Sequence, residues 1–66
     1  MTALRERREQ MRLSQAELGR RMQIDPSIVR HVEAGRVEPY PRFRRVAAEI
    51  LGVEEKELFP EIGSTP

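Results

Sequence analysis

The sequence predicts an all-α domain of five short helices, and three observations predict it. Apolar residues recur at helical spacing and nowhere alternate with the period of two that a strand needs. Start and stop residues punctuate the chain closely: Ser14, Asp25-Pro26 and Pro41 can open helices, and Gly35, Gly52 and Pro60 can close them. The connections between these marks are short, so consecutive helices have to pack on one another.

Taken in order, the first helix is expected over about Thr2–Met11, with Leu4 and Met11 seven residues apart on one side. The second, about Gln15–Met22, opens with a capping box: the Ser14 hydroxyl can accept from the Glu17 N–H while the Glu17 carboxylate reaches back. Leu18 and Met22, with small Ala16 and Gly19, share one side of it. The run breaks at Gln23-Ile24. The third helix, about Pro26–Ala34, has Asp25 at its N-cap, Pro26 at N1 and Gly35 as its C′ residue. Arg36–Tyr40 is a loop, and Pro41 starts a fourth helix that runs to about Leu51, where Gly52 stops it. A last helix covers about Glu54–Phe59 before Pro60, so residues 1–60 form one domain and 61–66 a flexible tail.

A chain of 66 residues buries little surface, and without cysteine neither a disulfide nor a thiolate metal site staples it. Helix packing has to supply its stability. No apolar run is long enough for a membrane span and no signal-peptide core is present, so a soluble, cytoplasmic protein is expected. The net charge of +1 conceals an asymmetry: residues 1–45 carry eleven arginines against six acids, residues 46–66 one lysine against five glutamates. A basic front suits a polyanionic partner, although a solvated, salt-bridged surface would look the same on charge alone.

Two helices of this length around a tight turn, Leu13–Gly35, make a helix-turn-helix, whose latter helix enters the DNA major groove. At about 100° per residue, Val29 and Val32 of that helix point one way, while Ser27, Arg30, His31 and Ala34 cluster opposite. The valines are expected in the core and the polar cluster on DNA. Arg30 is the strongest candidate reader, because its fork can take guanine O6 and N7 together. His31 could donate to a guanine or thymine acceptor, or bind phosphate if charged. Ser27 could reach a base or a phosphate, and Pro26 offers apolar contact to a thymine methyl. Asp25 is expected to cap, since a carboxylate is repelled by phosphate, and Ile28 to line the core rim. Arg36 in the following loop is a candidate phosphate contact, and Arg44 and Arg45 add charge nearby, a solvated face being preferred for Arg45.

Leu13–Gly35, the Pro-Arg-Phe at Pro41–Phe43 and the Leu-Gly-Val at Leu51–Val53 resemble the Cro/CI (Xre) helix-turn-helix family of phage-repressor-like regulators. The resemblance spans about Leu4–Phe59, and the combination of Ser14–Leu18, the spaced valines and Glu33–Gly35 is specific where each part alone is weak. It implies a compact five-helix bundle, a lambda-repressor-like DNA-binding domain. It also implies a phosphate contact from Gln15, an approach of Arg42 to the minor groove, and an internal pair between Arg8 and Glu33. Double-stranded DNA, as a pseudo-palindromic operator read by a homodimer, is the implied partner, with repression the expected role. Three departures stand out. Gln23 replaces the usual turn glycine, which asks a side-chain-bearing residue to adopt a left-handed backbone. Gly19 replaces the usual alanine, and one extra residue separates Gly35 from Pro41.

At the acidic end, Leu58, Phe59 and Ile62 are expected to divide between closing the core and forming a dimer interface remote from DNA. One histidine, no cysteine, no glycine-rich phosphate loop and no metal-ligand spacing give no catalytic, metal or cofactor site, and no small-molecule ligand is indicated, so an enzyme is not expected. The alternative from another class is an antitoxin or protein-interaction module on the same fold. For DNA binding the arginines should gather around the third helix; for an interaction module they should scatter.

Overall fold

Five helices follow one another in the computed structural model, which describes residues 3–60, and no strand occurs among those residues. They are α1 (Ala3–Gln10), α2 (Gln15–Met22), α3 (Pro26–Glu33), α4 (Pro41–Leu51) and α5 (Glu55–Leu58). None is long and apolar enough to cross a membrane. The first helix ends at Gln10, where Arg12 takes a left-handed backbone (φ 59°) and the Leu13 N–H donates back to the Arg8 carbonyl at 3.1 Å. Gly52 (φ 71°) closes α4, and the Arg7 Nε donates to the Leu51 carbonyl at 3.1 Å, satisfying an acceptor that the helix end leaves free. The short α5 is held at its start by the Glu57 carboxylate, which accepts from the Glu54 N–H at 2.9 Å.

α4 is the central column. Phe43, Ala47 and Leu51 line its buried face and meet Leu4 of α1, Leu18 and Met22 of α2, and Val29 and Val32 of α3 in one cluster. Phe43 makes edge-to-face ring contacts with Tyr40 (5.8 Å) and Phe59 (6.2 Å), so the loop before α4 and the segment after α5 close on the same ring.

The expected division of the C-terminal apolar residues is corrected here. Leu58 and Phe59 are only 3% and 8% exposed and belong to the core, so neither lies in an exposed dimer patch. The reason is scale: a bundle this short has to spend its last apolar residues covering Phe43 and Leu51. Ile62 and the tail Glu61–Pro66 lie outside the described residues, as does Thr2 of the expected first helix.

Phe59→Ala is therefore expected to unfold most of the population, because truncating a buried phenylalanine costs about 3–5 kcal/mol, close to the whole stability of so small a core. Far-UV circular dichroism and thermal unfolding check it. A variant with unchanged melting but altered oligomeric state would restore Phe59 to an interface.

Candidate nucleic-acid interface

α2 and α3 are set against each other by local chemistry at three points. The Ser14 hydroxyl accepts from the Glu17 N–H at 2.9 Å and caps α2. Only that half of the expected box forms, since the Glu17 carboxylate turns instead to Arg20 (3.2 Å) and Arg21 (3.6 Å). Gln23 ends the helix in the left-handed region (φ 61°, ψ 41°), with its N–H donating to the Arg20 carbonyl and the Ile24 N–H to that of Gly19. The Asp25 Oδ1 then accepts from the Ser27 N–H at 2.9 Å at the start of α3. That bond, with a lesser contribution from the Ser27 hydroxyl, holds the Asp25 carboxyl below its ordinary range.

Gly19 explains how close the two helices come. A Cβ there would stand 2.8 Å from the Pro26 Cα and 3.2 Å from its nitrogen. The glycine that weakens α2 by propensity is thus the residue that admits the N-terminus of α3.

The faces of α3 separate as the residue angles require. Val29 and Val32 are buried, with partly buried Ile28 packed beside them; Arg30 and Pro26 are exposed, and Ser27 and His31 are half-buried. Glu33 turns inward at the helix end. Both its oxygens are bound by Arg8, at 2.7 Å from Nε and 3.0 Å from Nη2, and the two side chains are only 8% and 4% exposed. Two further bonds extend the pair: the Arg8 Nη1 donates to the Leu13 carbonyl at 2.7 Å, and the Gln15 Nε2 donates to the Glu33 Oε1 at 2.9 Å. Hydrogen bonding to Glu33 raises the Arg8 pKa above its ordinary value despite burial. One network therefore joins α1, the α1–α2 turn, the first residue of α2 and the end of α3. Gln15, expected at a phosphate, has one amide proton committed to Glu33.

The arginines divide into two groups. Arg5, Arg7, Arg8, Arg20 and Arg21 are engaged by neighbouring side chains or carbonyls. Among the described residues the guanidinium groups of Arg12, Arg30, Arg36, Arg42 and Arg45 form no hydrogen bond or salt bridge, and all five residues are exposed. Arg30, Arg36 and Arg42 are thus unspent along α3, the loop and the first turn of α4. Arg44 departs from the expectation that it adds free charge: its Nη1 donates to the Pro39 carbonyl at 2.7 Å and its Nε lies 3.6 Å from Glu55. Half-buried, it braces the loop against α5. Arg12 was not singled out by sequence, and its left-handed turn leaves no local signature.

Two tests follow from this packing. Gln23→Gly relieves a left-handed backbone worth roughly 1–2 kcal/mol, partly offset by glycine's entropy, so the melting temperature should rise by a few degrees. Gly19→Ala should lower it, because contact with a backbone atom outweighs a propensity gain of up to about 1 kcal/mol. Thermal unfolding of both decides; a stabilised Gly19→Ala would mean the helices part at no cost. Breaking the buried pair by Glu33→Ala should cost about 3–5 kcal/mol and leave little folded protein, whereas Arg8→Met/Glu33→Leu together should recover most of it. Denaturant titration distinguishes a coupled pair from two independent losses.

The sequence model of the helix-turn-helix domain family matches residues 2–59, nearly the whole chain and all of the helices described above. No characterised protein and no solved structure matches the chain. The matched family supports a DNA-binding regulator, and the chain belongs to the helix-turn-helix domain family.

Proposed function

We propose that this protein is a sequence-specific double-stranded DNA-binding transcriptional repressor of the Cro/CI type that reads the major groove with α3. The observation that carries the reading is the outward face of α3. There Arg30, whose guanidinium makes no hydrogen bond or salt bridge within the protein, stands beside Ser27 and His31, opposite the buried Val29 and Val32. Arg30 supplies a bidentate donor for guanine, Ser27 and His31 shorter contacts, and Pro26 an apolar one. Arg36 and Arg42 supply phosphate charge, with Arg42 directed to the minor groove. Gln15 keeps a second amide proton for phosphate at the positive end of α2. No catalytic step or cofactor belongs to this reading. The pattern of free and engaged arginines favours it over an interaction module, whose arginines have no reason to remain unpaired along α3 and the loop after it.

Operators of this type are pseudo-palindromic, so two copies are placed one helical turn of DNA apart. Leu58 and Phe59 are in the core and supply no contact between the two copies; on this reading the DNA itself brings the copies together on adjacent half-sites.

Selection from random duplex DNA at a stated salt concentration, followed by titration of variants, tests the reading. Arg30→Ala should weaken the enriched duplex by about 1–3 kcal/mol and relax preference at one base pair. Arg36→Ala and Arg42→Ala should act evenly on all sequences, each lowering the salt slope by about one. Sedimentation should find two proteins on a duplex with two half-sites. Failure to enrich any duplex would overturn the proposal, and an equal loss for Arg30→Ala on random DNA would reduce Arg30 to a phosphate contact.

A further inference from the structure

The two ring nitrogens of His31 have different surroundings. Nδ1 is buried and has no hydrogen-bond partner, whereas Nε2 is not among the buried unpartnered atoms. The backbone that carries the ring is fixed, since the His31 carbonyl accepts from the Arg36 N–H at 2.9 Å and the Val37 N–H at 3.4 Å as the loop folds over the end of α3.

We propose that His31 is a donor-only specificity determinant, presenting a single Nε2–H to a guanine in the major groove. This rests on the reading of α3 as the DNA-facing helix. A proton on Nδ1 would be a buried N–H with no acceptor in the protein, and an orphaned buried donor is a rarer defect than an under-satisfied acceptor. The proton of the neutral ring therefore resides on Nε2, and the outward edge offers a donor and no acceptor. In the major groove, guanine shows two adjacent acceptors, O6 and N7, and no donor. Adenine and cytosine each place an amino group at the edge, and thymine flanks its one acceptor with a methyl. A fixed lone donor can take either acceptor of guanine, whereas at adenine only N7 accepts, beside a repelling amino group, and cytosine offers no acceptor. The buried nitrogen thus removes the ambiguity that makes a freely turning histidine a poor reader.

The test has one part without DNA and one with it. In the free protein at pH 8, two-bond nitrogen–proton correlation of the His31 ring should show the proton on Nε2; a predominantly Nδ1-protonated ring overturns the assignment. On the duplex enriched by selection, His31→Gln, whose amide nitrogen can occupy the place of Nε2, should keep the guanine preference at the affected position. His31→Asn, too short to reach it, should lose roughly three- to tenfold in discrimination against adenine. Circular dichroism confirms that both variants fold. Replacing that guanine by 7-deazaguanine or adenine should weaken the wild-type protein, and inosine, which keeps O6 and N7, should not. If a duplex is enriched but neither variant alters preference at any position, His31 is not a reader while α3 remains one. If no duplex is enriched, both readings fall together.

Discussion

The buried Arg8–Glu33 pair is the constraint on which the position of α3 depends. Glu33 is the last residue of α3, and its two oxygens are held by a guanidinium from α1 and an amide from the first residue of α2. A charged pair at this depth gains little net stability over an apolar substitute, because desolvation offsets most of the attraction. Its use is directional. Apolar contacts of Val29 and Val32 hold α3 against the bundle but leave it free to roll or slide by small amounts; a bidentate pair does not. The network sets the rotation of α3 about its own axis, and with it the direction in which Arg30 and His31 leave the helix.

The start of α3 is governed by a second constraint, the contact between Gly19 and Pro26. Proline at N1 supplies a preset backbone and gives up an N–H that the helix end could not use. Glycine opposite lets the two backbones approach. Gln23 completes the turn at the cost of a left-handed conformation that glycine would adopt freely. Strain at the turn and weakened propensity in α2 are thus traded for a close α2–α3 packing, fixed at one end by the turn and at the other by Glu33. Charge divides along the chain: the guanidinium groups of Arg30, Arg36 and Arg42 stay unpaired, while all five arginines of α1 and α2 are held by neighbours.

Much of this was readable in the sequence, and the reason is range. Caps at Ser14 and Asp25 and stops at Gly35 and Gly52 act within a few residues, so their chemistry survives in one dimension. The split of α3 into Val29/Val32 and Ser27/Arg30/His31 needs only the helical period. The Arg8–Glu33 pair and the strain at Gln23 were accessible through family resemblance alone, since spacing does not imply either. What escaped depends on which of several available partners a side chain takes, some in the same helix and some on other elements. Glu17 prefers Arg20 and Arg21 to its own cap, and Arg44 is taken up by Pro39 and Glu55. The burial of Leu58 and Phe59 could not be apportioned without knowing how much of Phe43 remained to be covered. The inequivalence of the His31 nitrogens lies below the resolution of any residue pattern.

The central claim is that a locked α3 presents the DNA-facing surface. Backbone amide shifts of the labelled protein, followed by nuclear magnetic resonance while duplex DNA is added at low salt, test it most directly. The account predicts shifts concentrated on Ser27, Arg30 and His31, extending to Gln15, Arg36 and Arg42, with the amides of α5 and the outer face of α1 unmoved. Shifts centred on α1 and α5, with the α3 amides unchanged, would contradict it.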